Sequence, residues 1–155
     1  MVNARAKGSS YERDVRKRLR DSLGLDFNRV YQQASEAGLP DLICDDPSFP
    51  FVIECKRYQK TSAFADPRWW DQICYAAKKY TERRQVLRPH EKPVFPALVY
   101  KGDRLEERWR IPVEAIAGLK CYDAAGDKAE AYNWTYAVEM SFRDFCMIAR
   151  ELMCD

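Results

Sequence analysis

Two apolar runs joined by a proline turn constrain this chain more than any other stretch. Asp41-Leu42-Ile43-Cys44 and Phe51-Val52-Ile53-Glu54-Cys55-Lys56-Arg57 flank Asp46-Pro47-Ser48-Phe49, where proline takes the second position of a type I turn. The runs predict the two strands of a β-hairpin. A turn centred between Pro47 and Ser48 sets Asp41 opposite Glu54. Opposed residues share a sheet face, and alternation puts Lys56 on that face while Cys55 points away. Two carboxylates and an ammonium therefore converge. Opposed carboxylates repel, and a hard divalent cation resolves the conflict. Mg²⁺ typically takes one or two carboxylates plus substrate phosphate. A metal so placed neutralises a phosphodiester and lowers the pKa of a bound water, and Lys56 adds a compact positive charge beside it. The competing reading is a surface hairpin with an ordinary cross-strand Asp–Lys pair.

The other elements follow from periodicity. Residues 1–8 are polar and are expected to form a mobile basic arm, with 9–155 as one domain. Ser9-x-x-Glu12 has the pattern of a capping box, and Tyr11, Val15, Leu19 and Leu23 then recur every four residues up to Gly24. Phe27 to Gln33 reads as a strand. Asp66 and Pro67 open a helix carrying Trp69, Trp70, Gln72, Ile73, Ala76, Ala77 and Tyr80. Val94 to Tyr100 reads as a strand broken or edged by Pro96. Arg108 to Ile111 and Thr135 to Met140 complete the strands, and Ser141 caps a last helix. The order predicts an α/β fold with a central mixed β-sheet flanked by helices.

Net charge is only +2, but it is uneven. Residues 1–20 hold seven basic side chains against Glu12 and Asp14, so a basic N-terminal segment is placed to meet nucleic acid or simply to be a solvated face. The six cysteines form no C-x-x-C pair and several lie in apolar patterns, which favours free thiols in a reducing cytoplasm. No apolar run is long enough to span a membrane, and no signal peptide is seen. The expected setting is intracellular, as a nucleoid-associated or viral protein in a host cell.

Pro40-Asp41 followed by Glu54-Cys55-Lys56 resembles the signature of the PD-(D/E)xK nuclease superfamily. Over residues 8–58 the chain is similar to the archaeal-type Holliday junction resolvases. Gly8-x-x-Tyr11-Glu12-Arg13-x-Val15 resembles their first helix, Gln33-Ala34-Ser35 their serine-containing loop, and Ile53-Glu54-Cys55-Lys56 their third motif. The resemblance implies a restriction-endonuclease-like core. It implies Asp41, Glu54 and the Cys55 backbone carbonyl as metal ligands, Glu12 completing the shell, Lys56 as the catalytic lysine, and Ser35 in the catalytic loop. Glu12 is also explained by the capping box alone. Gln72 is a further catalytic candidate, since many relatives place a glutamine near the metal or DNA; a surface glutamine is the alternative.

Arg5, Lys7, Arg13, Arg16, Lys17, Arg57, Lys60 and Arg68 would suit phosphate contacts. Trp69 and Trp70 fit either base stacking or a packed core. The resemblance implies a Mg²⁺-dependent endonuclease, with Mn²⁺ as substitute, acting as a homodimer on branched four-way DNA junctions. The alternatives are another nuclease of the superfamily (restriction-like, repair or exonuclease) or an inactive DNA-binding module of the same fold.

Overall fold

The computed structural model describes residues 4–30, 38–59, 65–117 and 134–154. Six strands, β1 (Phe27–Arg29), β2 (Leu42–Cys44), β3 (Phe51–Tyr58), β4 (Phe95–Gly102), β5 (Arg108–Pro112) and β6 (Ala137–Met140), form one sheet in chain order. The helices are α1 (Ala4–Leu23), α2 (Pro67–Leu87), α3 (Val113–Ala117) and α4 (Phe142–Cys154). β3 and β4 pair in parallel and every other neighbouring pair is antiparallel, so the sheet is mixed. Parallel neighbours need a crossover, and α2 supplies it.

The helices cover both faces. Tyr11, Val15 and Leu19 of α1 are buried with Ile53, Cys55, Val99 and Trp109, and with Phe145 and Ala149 of α4. Trp109 stacks on Phe145 with centroids 4.2 Å apart. On the other face α2 buries Trp70, Ile73, Ala76 and Ala77 against Val52, Leu98 and Tyr100. Each large apolar side chain so removed from water contributes about 1.5–3 kcal/mol.

Local signals explain most boundaries. Gly24 adopts φ +70° and its N–H donates to the Arg20 carbonyl at 2.9 Å, closing α1 with a left-handed cap. Asp66 caps α2 by accepting the Arg68 N–H at 3.0 Å, and Ser141 Oγ caps α4 by accepting the Asp144 N–H at 3.2 Å. The hairpin turn is closed by the Phe49 N–H donating to the Asp46 carbonyl at 3.2 Å. Pro96 does not break β4. The Phe95 N–H points to β3, so the nitrogen of Pro96 faces the other edge, where pairing with β5 starts only at Leu98.

Three expectations change. α1 begins at Ala4 rather than at Ser9, so residues 4–8 are helical and Ser9 and Glu12 sit inside the helix, where no capping box exists. The first strand stops at Arg29, and residues 31–33 of the expected strand lie outside the described residues. The last strand begins at Ala137, two residues after Thr135. Cys44, Cys55, Cys74, Cys146 and Cys154 are free thiols, with Cys55 and Cys146 buried and Cys154 exposed; Cys121 lies outside the described residues. No described helix is long and apolar enough to cross a membrane.

Candidate active site

The hairpin register is the one the turn dictates. Leu42 pairs with Ile53 and Ile43 with Val52, which carried one step further sets Asp41 across from Glu54. β2 ends at this point, and the Cys55 N–H is taken by Asp41 Oδ2 at 2.8 Å instead of by a strand carbonyl. A side chain thus replaces a ladder bond, which fixes the Asp41 carboxylate beside β3.

Glu54 is only 1% exposed, and alternation places it and Lys56 on the α2 face of the sheet while Cys55 packs with α1. Lys56 Nζ lies 2.7 Å from Glu54 Oε1. Gln72, on the second turn of α2, bridges the two: its amide donates to Glu54 Oε1 at 2.8 Å and its carbonyl accepts from Lys56 Nζ at 3.1 Å. Gln72 is therefore part of the cluster and not a surface residue. Glu54 Oε1 has two donors, whereas Oε2 is buried with no hydrogen-bond partner among the described residues.

Burial raises the Glu54 carboxyl to about 7, with the Asp41 charge adding to the rise and Lys56 opposing it. Burial likewise pushes Asp41 up to about 6, opposed by the Cys55 N–H and reinforced by Glu12. Two neighbouring carboxyls that resist ionisation together could hold a cation between them.

Glu12 reaches this edge from α1. Its Oε2 accepts the Arg29 Nε–H at 2.8 Å and an Nη2–H as well, and the same Nη2 donates to Ser9 Oγ at 3.2 Å. Both halves of the expected capping box are thus engaged by one arginine. Among the described residues no three His, Cys, Asp or Glu side chains converge in metal-holding geometry. Asp41 and Glu54 are the two carboxylates presented, a number that suits Mg²⁺ when waters and a phosphate complete its shell.

The expected phosphate contacts divide. Arg57 donates to Asp103 Oδ1 at 2.6 Å and to the Lys101 carbonyl at 3.0 Å, and Lys7 lies 3.9 Å from Asp103. Lys17 pairs with Asp21 at 2.6 Å, and Arg68 with its own cap Asp66. Arg13 donates to the Ser9 carbonyl at 3.3 Å, and Arg16 is exposed. The Arg5 side chain, Ser35 and Lys60 lie outside the described residues. Trp70 is core, with its indole N–H on the Trp134 carbonyl at 3.0 Å, while half-buried Trp69 packs on Tyr58 at 5.2 Å.

Sequence reasoning missed Arg29. It lies in a three-residue strand, and its partner sits on a helix 17 positions earlier, a distance with no periodic signature. It also missed Glu107, whose carboxylate accepts from Tyr11 at 2.8 Å, from Arg18 at 2.9 and 2.6 Å, and from the Trp109 indole at 2.9 Å. Arg18 and the other donors hold Glu107 ionised below the ordinary glutamate range despite its burial. This hub sets the rotation of α1, one residue from Glu12.

A family model described as "Phage putative PDDEXK endonuclease" matches residues 3–152. No curated protein matches the chain. Among solved structures, the chain is similar to Archaeoglobus fulgidus Hjc, a Holliday junction resolvase from an archaeal hyperthermophile. Identity is 16%, the TM-score is 0.51, and the match covers 91% of this chain and 96% of that one. The likeness establishes the restriction-endonuclease-like fold.

Proposed function

Because this chain belongs to the phage PDDEXK endonuclease family, we propose that it is a Mg²⁺-dependent DNA endonuclease that nicks four-way junctions. The observation that carries the chemistry is the buried, unpartnered Glu54 Oε2 beside Asp41, with Lys56 already held at Glu54. That donor set fits a hard divalent cation, with Mn²⁺ as a substitute, and Asp41 and Glu54 would hold it; the Cys55 carbonyl and Glu12 are the further ligands that the family pattern implies. Bound there, the metal would neutralise the scissile phosphate and make an attacking hydroxide available near neutral pH.

The remaining work belongs to the chain. Asp41 is locked against β3 by the Cys55 N–H, so its carboxylate does not reorganise. Gln72 hydrogen-bonds both Lys56 and Glu54, which would keep the ammonium aimed at the site where negative charge develops. Arg29 neutralises Glu12 and limits repulsion among three carboxylates. The choice of junction DNA is supported by the likeness of the fold to a Holliday junction resolvase. Cutting two symmetric strands of a junction calls for a homodimer. Lys7, Arg13, Arg16 and Lys17 on α1 supply the positive charge for the DNA backbone.

A nicking assay with Mg²⁺ tests this reading, comparing a four-way junction with its linear arms and using Asp41→Asn as control. Selective nicking of the junction, lost in Asp41→Asn, is the expected result. Equal cutting of junction and arms would replace the resolvase with a restriction-like or repair nuclease. Cutting that survives in Asp41→Asn would remove this site from the chemistry.

A further inference from the structure

Lys56 and Arg57 follow one another in β3 and so project to opposite faces of the sheet. On the Arg57 side, away from the carboxylate pair, an open cavity of about 640 Å³ is bounded by α1 and the ends of β3 and β4. Lys7, Arg18, Arg57 and Lys101 line it, beside the hydroxyls of Ser10 and Tyr11. Two acids also line it, Asp14 and Glu107, and both are engaged by Arg18. Lys7 and Arg57 share the single carboxylate of Asp103. Lys101 Nζ makes no hydrogen bond or ion pair among the described residues.

The turn that follows Lys101, and that carries Asp103, sharpens the point. Gly102 is packed so that an added Cβ would meet Leu105 Cδ1 at 2.8 Å and Tyr58 at 3.1 Å, which fixes the turn's path. Arg104 then adopts φ 63°, in the left-handed region. Glycine takes that conformation freely, whereas an arginine there is strained. Its side chain is exposed and has no partner among the described residues. A cation without a partner among the described residues is thus held in a backbone conformation that disfavours most side chains, three positions along the chain from Lys101.

We propose that this cavity and the turn after Lys101 are a second DNA contact. It would take backbone phosphates flanking the one at Lys56, with Lys101 and Arg104 as the direct partners and Arg57 held ready by Asp103. The proposal rests on the nuclease reading and adds a path to it: the DNA backbone passes round the end of β3 from one sheet face to the other.

Fluorescence anisotropy in EDTA, with a four-way junction and a linear duplex as probes, tests it between about 50 and 200 mM salt. Removing two phosphate contacts with Lys101→Gln/Arg104→Gly should make the slope of log K against log salt shallower by about 1.8. The affinity loss should be roughly tenfold larger at the low-salt end than at the high-salt end. Lys92→Gln removes a charge just ahead of β4, at its opposite end, and should leave the slope unchanged. Arg104→Gly alone should weaken binding while its thermal midpoint stays the same or rises, because glycine relieves the strained φ; a purely structural role would move both readouts together. A slope equal to wild type in the double variant would overturn the proposal, as would equal flattening by Lys92→Gln or absence of DNA binding by the wild type. The expected change of slope in the double variant, together with no cleavage by the wild type in Mg²⁺, would sink the nuclease reading and leave the phosphate contact standing.

Discussion

Arg29 donates its Nε–H to Glu12 Oε2 at 2.8 Å, tying a short strand next to the hairpin to the carboxylate that α1 delivers. Neither side chain is well solvated, at 17% and 21% exposure. Breaking such a pair leaves one charge stranded. Arg29→Gln is therefore expected to lower metal-free stability by about 2 kcal/mol. It should also enlarge the stabilisation that saturating Mg²⁺ provides, because Glu12 then has only the metal to answer its charge. Equal Mg²⁺-induced shifts in the melting temperature of variant and wild type would place Glu12 outside the metal's reach.

Stability without metal should fall as pH rises. Asp41 and Glu54 titrate near 6 and 7 in the folded protein, above the ordinary carboxylate range, with burial as the main cause. Between about pH 4 and pH 7 the unfolded chain has released protons that the fold still holds, so each unit of pH favours unfolding. Above the upper value the loss is complete. Asp41→Asn keeps an acceptor for the Cys55 N–H and removes one of the charges. Its melting temperature should match wild type near pH 4 and exceed it by a few degrees near pH 8, on the order of 1–2 kcal/mol. Parallel stability curves would contradict the raised values.

Gln72 acts through its neighbours. Replacing it with methionine keeps the volume and deletes both bridging bonds to Glu54 and Lys56. The expected loss is about 10–100-fold in cleavage rate or Mg²⁺ affinity. DNA binding in EDTA should be unchanged. Wild-type cleavage by Gln72→Met would reduce the bridge to packing.

Asp41→Asn, Glu54→Gln and Lys56→Ala should each slow cleavage by about 10²-fold or more, with DNA binding retained. Single-turnover assays at saturating DNA measure the chemistry apart from affinity. Any of the three that cleaves at the wild-type rate loses its assigned role.

Gly38 is constrained twice. It adopts φ +100°, and a Cβ there would lie 2.7 Å from the Tyr75 ring of α2. Gly38→Ala should cost about 1–3 kcal/mol, read from the urea midpoint, and should disturb Asp41 three residues on. Adding Tyr75→Ala should restore only the steric part. Full recovery in the double variant would mean that the backbone conformation contributes nothing.

The hairpin is legible because its turn and its alternation are local, and together they determine the register that sets Asp41 across from Glu54, with Lys56 on the same face. The helix that carries Glu12 was less so. Ser9 and Glu12 have the spacing of a cap, yet both are recruited by Arg29, a contact made across the fold and invisible to periodicity. The same holds for the basic residues. Charge can be counted in a sequence, but only the fold shows that Asp103 takes up Arg57, 46 positions away, and that Asp66 takes up Arg68. Trp69 and Trp70 are adjacent letters with different fates because about 100° of helix rotation separates them, which buries Trp70 against the sheet and leaves Trp69 half-buried.

The parallel pairing of β3 with β4 also orders events during synthesis. β3 leaves the ribosome with only β2 beside it, and its second edge stays open until the 21 residues of α2 and then β4 have been made. Glu54 and Lys56 precede Gln72 in the chain, so the bridge between them waits for α2. The carboxylate pair reaches its buried geometry only when Leu98 and its neighbours pair alongside Glu54 and α2 packs over it. A nascent chain carries every charged residue of the candidate centre for dozens of codons before it can cut anything.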